Sequence, residues 1–394
     1  MNIYDEQCFI PGKGQGSSDR FHLFVRRMVL YCREVISCIS SEQNKAFLSG
    51  FDKRVPHPDL ILQESIENVQ LILQLLTRLL LKEKINGVIV KQVINQNATG
   101  QLIIDIICLG GALRDTSGSG VGVISQGEKL LLGEALHCGI ELLHGGNNAF
   151  SQRIIYQYLM HPPHAKLFFS AIKRFFDIEV YLQIDDNDRL AEHRTKFVED
   201  MRQLVHVLHF LQLLCEGHYF GMQMLIFSQP TFLQDCMSLF QSLVTCSLRD
   251  EFTIVNVQVI FRMLDFFIEI VQGPCRNVQE TILKSESFIL AMDELACHNL
   301  SPVGVDWDDV PSQCLIFDME QSARTSVHYV ELLKNSRLLN FAELKGLKNR
   351  ILLLQISLLE GRQLAPNDSA RFMLKTLKER YQHDFYRIIC YISL

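Results

Sequence analysis

The chain has 394 residues, 48% hydrophobic and 21% charged, with only 10 prolines, which excludes a disordered, collagenous or low-complexity protein. A formal charge of −6 argues against a nucleic-acid binder whose affinity comes from neutralising phosphates. Twelve cysteines lie scattered with no C-x-x-C pair, the pattern of reduced, buried thiols in a cytosolic protein.

Residues 1–20 read as a polar leader, without the basic-then-apolar order of a signal peptide. Residues 21–109 form N-terminal helices, with an amphipathic face over 60–84; the segment 87–93 (GVIVKQV) fits a short strand or a buried helical turn equally. Residues 110–127 (GGALRDTSGSGVGVISQG) read as a flexible glycine-rich loop. A helical segment follows over 128–184, with a face at 129–143, and the acidic run 185–188 breaks the chain. Over 189–298 a helical domain is expected. There Leu204, Leu208, Leu211 and Cys215 recur at helical spacing, as do Val257, Phe261, Leu264, Ile268 and Val271. Residues 299–312, with Pro302, Gly304 and Pro311, form a loop, and 313–394 form C-terminal helices with faces at 327–339 and 347–359. Gly145, Gly217 and Gly361 close helices in the manner of left-handed caps. The fold class is all-α, an armadillo-like irregular helical solenoid whose helix endings are too unevenly spaced for a regular repeat. The apolar stretches 204–215 and 101–113 have core-helix length, closed by Glu216 and broken by Asp105. No membrane insertion by this chain is expected.

Enzymatic signatures fail one by one. Gly122 and Gly127 have P-loop spacing, but Glu128 stands where the lysine belongs, inverting the charge at a phosphate. His206, His209, Cys215 and His218 loosely match zinc spacing, yet they spread over more than one face of a helix. The acidic runs at 185–188 and 306–309 lack the central glycine and terminal glutamate of a calcium-binding loop. With no nucleophile, base and oxyanion set, the chain is not expected to be an enzyme.

Two carboxylates stand in electrostatically poor positions. Glu216 precedes Gly217, and Glu269 lies one turn before Gly273 and Pro274, which must end its helix. An anion near a helix C-terminus is destabilised by about 0.3–1 kcal/mol. Each continues a polar stripe, His209 and Gln212 to Glu216, and Gln258, Arg262 and Asp265 to Glu269. A bound cation would relieve both, and carboxylates with helix-end carbonyls form a hard oxygen environment suited to calcium over zinc. Two exposed, salt-screened glutamates are the alternative.

At these residues the sequence resembles a family. Residues 210–218 (FLQLLCEGH), with Gln223 and Gln229 at the matching spacing, are similar to the RIH-associated domain of the intracellular calcium-release channels. These channels are the inositol trisphosphate and ryanodine receptors. Residues 269–275 (EIVQGPC), with Gln279 in register, resemble the family's E-Y-x-Q-G-P-C. Residues 139–152 (GIELLHGGNNAFSQ) and 356–361 (ISLLEG) match its flanking segments. Tyr219, Phe220, Gly221 and Val278 depart from the pattern, and neither the first 100 residues nor the last 30 are anchored by it.

The resemblance implies a cytosolic helical solenoid linking ligand-sensing regions to a pore at the endoplasmic reticulum. Glu216 and Glu269 would be calcium ligands, with His218 and Gln272 beside them. The β-trefoil core, the six-helix pore and the C-terminal domain that supplies a further carbonyl ligand are absent from this sequence. The chain is therefore expected to be a piece or truncated relative of such a channel, a reading to which the apolar run at 381–394 also points. Its partners would be the pore and C-terminal domain of the family, in a tetramer, with no nucleic acid. The alternative function is a soluble α-solenoid scaffold binding helices or peptides, and an exposed apolar surface along 222–227 (MQMLIF) would serve either role.

Overall fold

The computed structural model describes residues 15–40, 58–82, 89–115, 126–144, 148–176, 190–250, 254–273, 275–297, 341–361 and 370–380. Among these residues every regular element is an α-helix and there is no strand. The chain divides into two compact units, 1–174 and 175–394.

The first unit contains α1 (Gln15–Ser40), α2 (Pro58–Lys82), α3 (Ile89–Gln96), α4 (Thr99–Asp115), α5 (Gln126–Leu143), α6 (Asn148–Leu159) and α7 (Pro162–Lys173). On α1 the buried Phe21, Val25, Val29, Cys32 and Ile36 recur every three to four residues, which gives the helix one core-facing stripe. The central helix α4 packs against α1, α5, α6 and α7. It buries Leu102, Ile103, Ile104, Ile106 and Ile107, so it is apolar nearly all round. Its half-buried Asp105 accepts a 2.5 Å hydrogen bond from the Tyr158 hydroxyl and lies 3.9 Å from Arg33.

Several expectations shift here. The ambiguous segment at 87–93 contributes to helix α3. Helix α1 begins at Gln15, inside the expected polar leader. The glycine-rich loop expected over 110–127 is narrower, because α4 runs through Asp115 and α5 starts at Gln126. Ala112, Leu113 and Arg114 are strong helix formers that carry α4 past the glycine pair. The middle of that loop, the segments 185–188, 299–312 and 327–339, and the end of the chain at 381–394 lie outside the described residues, as do Gly145 and Gly146.

The second unit contains α8 (Leu190–Cys215), α9 (Phe220–Phe227), α10 (Phe232–Asp250), α11 (Ile254–Val271), α12 (Arg276–Leu283), α13 (Glu286–Cys297), α14 (Phe341–Leu359) and α15 (Ala370–Arg380). Helix α11 is the axis of this unit, packed against α8, α10 and α14. Its predicted apolar face is buried at Val257, Leu264, Ile268 and Val271, and on α8 Leu204, Leu208, Leu211 and Cys215 are fully buried. Phe240, Phe267 and Phe288 join α10, α11 and α13 through ring contacts of 4.9–6.1 Å. Layered helices of this kind are consistent with a helical solenoid.

The apolar surface expected at 222–227 is exposed only in part: Met222, Gln223 and Ile226 on α9 are fully buried, and Met224, Leu225 and Phe227 are half-buried. A short helix with apolar residues on all sides has no polar face to turn to water, so it sinks into the unit.

Candidate cation site

Both carboxylates singled out from the sequence sit where a helix stops. Helix α8 ends at Cys215, Glu216 opens the turn, and Gly217 adopts φ +72°. His218 follows at φ +60°, a left-handed conformation that is uncommon outside glycine but enriched for histidine. The Tyr219 N–H then closes the turn onto the Cys215 carbonyl at 3.1 Å. Helix α11 stops in the same way. The Gln272 N–H donates to the Ile268 carbonyl at 3.0 Å, and Gly273 turns the chain out at φ +78°.

The two turns touch. A Cβ placed on Gly273 would lie 3.3 Å from His218 Cβ and 3.6 Å from its Cγ. Glycine is required there twice over, by backbone conformation and by the closeness of His218. His218 is otherwise exposed, while Glu216, Glu269 and Gln272 are half-buried.

The electrostatics follow from this meeting of helix ends. Burial, the charge of Glu216 and then that of Asp265 push the Glu269 carboxyl up from an ordinary 4.5 to about 7. Among the described residues no basic group offsets these influences at Glu269. Burial, followed by the charges of Glu269 and Cys275, also raises the Cys215 thiol well above its ordinary value, which keeps it protonated and inert. None of the cysteines whose side chains are described forms a disulfide.

The helix-end carbonyls expected as further oxygen ligands are already engaged. Gln223 Nε2, from α9, donates to the carbonyls of Glu269 at 2.7 Å and Gln272 at 3.0 Å. Gln279 Nε2, from α12, donates to the carbonyls of Val271 and Ser357, both at 3.1 Å. Among the described residues no group of three or more His, Cys, Asp or Glu is arranged to hold a metal ion.

Sequence reasoning missed one partner of this region. Arg350 of α14 pairs with Asp265 and lays its guanidinium 3.8 Å from the centre of the Phe261 ring. Phe261 is the one position of the predicted α11 apolar face that is not buried, because it carries this cation. Asp265 and Arg350 are 85 residues apart, and nothing local in the sequence joins them. Gln223 and Gln279 were marked only by family resemblance, which gave no role for their amides.

The family described as RyR and IP3R Homology associated matches residues 198–295, a span that contains Glu216, Gln223, Glu269 and Gln279. Comparison with curated proteins gave no match. Among the described residues no helix is long and apolar enough to cross a membrane. Residues 198–295 are thus similar to a region associated with homology between the ryanodine and inositol trisphosphate receptors.

Proposed function

We propose that this chain is a cytosolic helical portion of an intracellular calcium-release channel. In this reading Glu216 and Glu269 hold a calcium ion, and their state is transmitted to a pore supplied by another part of the assembly. One observation carries the proposal. Two carboxylates from different helix ends are placed so that the charge of one opposes ionisation of the other, in a half-buried setting. A calcium ion bound there sets positive charge between two carboxylates that oppose each other's ionisation.

The donor chemistry fits that ion. Carboxylate oxygens are hard ligands preferred by calcium, and the nearest thiol, Cys215, is buried and protonated, which disfavours zinc. Glu216 sits on the turn after α8 and Glu269 on the last turn of α11, so their approach or separation moves two packed helices relative to each other. Differential binding between two arrangements of those helix ends is the means of coupling to the pore. Two carboxylates fall short of the six to eight oxygens calcium takes, so the open side is completed by water or by the C-terminal channel domain. The setting is the cytosolic face of the endoplasmic reticulum, in a tetramer organised by the pore.

The test is calcium titration calorimetry on the chain with the C-terminal channel domain present. Changing Glu216→Gln and Glu269→Gln together is expected to weaken binding at least about a hundredfold, since both charged ligands are lost. Equal binding by wild type and the double variant overturns the proposal.

A further inference from the structure

Gln223 and Gln279 repeat one arrangement. Both are fully buried, and each donates its two amide protons to backbone carbonyls at a helix end. The need arises from the sequence. Helix α11 stops at Gly273 and Pro274, and proline has no N–H with which to satisfy a terminal carbonyl. Three carbonyls of that end, those of Glu269, Val271 and Gln272, are served by side-chain amides instead. The orientation of each amide is fixed by chemistry, since a flipped one would set its oxygen against two carbonyl oxygens. The cost is visible: Oε1 of both glutamines is buried without a hydrogen-bond partner.

We infer that Gln223 is the positioning residue of the Glu216–Glu269 pair. By holding the carbonyls of Glu269 and Gln272 it fixes the last turn of α11, and with it the direction in which the Glu269 carboxylate leaves the helix. Gln279 ties the same turn to the end of α14 through Ser357, where Arg276 also donates to the Gly361 carbonyl at 3.0 Å. Amide protons aimed at the helix end also offset the negative end of its dipole. Without Gln223 that turn frays under the repulsion of the two carboxylates. The effect on calcium affinity rests on the function proposed above; the effect on the turn does not.

The experiment uses the full chain and Gln223→Met, which keeps side-chain length and bulk but removes both donors. In calcium-free hydrogen exchange, amides across 268–273 are expected to lose protection about tenfold or more, as two buried hydrogen bonds are lost. Those of α10 keep their wild-type values. Calcium affinity is expected to fall about tenfold through the loosened ligand. Unchanged exchange at 268–273, or equal loss across the whole second unit, overturns the inference. A second variant, Gln223→Leu, guards against failure of the first to fold: it also lacks both donors, and wild-type protection of 268–273 in it overturns the inference. If wild type binds no calcium in the presence of the C-terminal domain, the function proposed above fails, and exchange alone decides the role of Gln223.

Discussion

Helix α11 carries two carboxylates one turn apart, and the protein treats them in opposite ways. Burial pushes both Asp265 and Glu269 toward the neutral acid. At Asp265 the fold answers with cations, Arg350 from α14 and Arg262 at 3.7 Å on the same helix, which draw the carboxyl back down. At Glu269 the neighbouring charges are those of Glu216 and Asp265, and they add to the effect of burial. The same helix therefore holds one carboxylate whose ionisation is helped by basic neighbours and one whose ionisation is opposed by acidic neighbours. Carboxyls shifted strongly by burial and like charge are found at functional sites more often than elsewhere.

That contrast can be broken at the compensated end first, where the largest effect is expected. Arg350→Ala leaves a buried Asp265 without its main partner and uncovers the Phe261 ring, and should cost about 2–4 kcal/mol in urea denaturation. Adding Asp265→Asn to Arg350→Met, which removes both charges and keeps the stem over Phe261, should recover most of the loss. A loss within about 0.5 kcal/mol for Arg350→Ala would mean that the pair is too solvated to matter.

At Glu269 the sign reverses. The Glu269 carboxyl titrates near 7 in the folded protein against an ordinary 4.5, so the folded chain binds more protons than the unfolded one in that window. Stability therefore falls as pH rises from about 4.5 to 7, and the cost is fully present above 7. Calcium-free Glu269→Gln should accordingly be more stable than wild type by about 1–2 kcal/mol at pH 8, after discounting for solvent around a half-buried group. At pH 5, where Glu269 is protonated, the two proteins should melt nearly together. Equal midpoints at both pH values would show that the carboxylates do not repel.

Much of this was legible in the sequence because it is local. The spacing of Leu204, Leu208, Leu211 and Cys215 marked a helix face that is fully buried. Gly217, Gly273 and Gly361, placed after apolar helices, all take the left-handed conformation expected of a cap. What could not be read depends on residues far apart in the chain. Arg350 reaches Asp265 across 85 positions, and Gln279 reaches Ser357 across 78. The expected exposure of 222–227 is met only in part, because a short apolar helix does not reveal what will cover it. The hydrogen bonds made at the helix-end carbonyls of α11 were hidden for a similar reason, as the amides that reach them come from α9 and α12.

The smallest effect concerns the two glycines that bring the helix ends together. Gly217 and Gly273 have nearly the same backbone, φ +72° and +78°, but different surroundings. A Cβ at Gly217 meets nothing within 4 Å, whereas one at Gly273 comes to 3.3 Å from His218. Alanine at either position should cost about 1–2 kcal/mol for the left-handed conformation alone. The difference between them isolates the contact: Gly273→Ala should be worse by a further ~0.5–1 kcal/mol, because the His218 turn must give way. Replacing His218 with Gly in the Gly273→Ala background removes the colliding atoms and should erase that excess. If the excess persists, the Glu216 and Glu269 turns are not in the contact that their pairing requires.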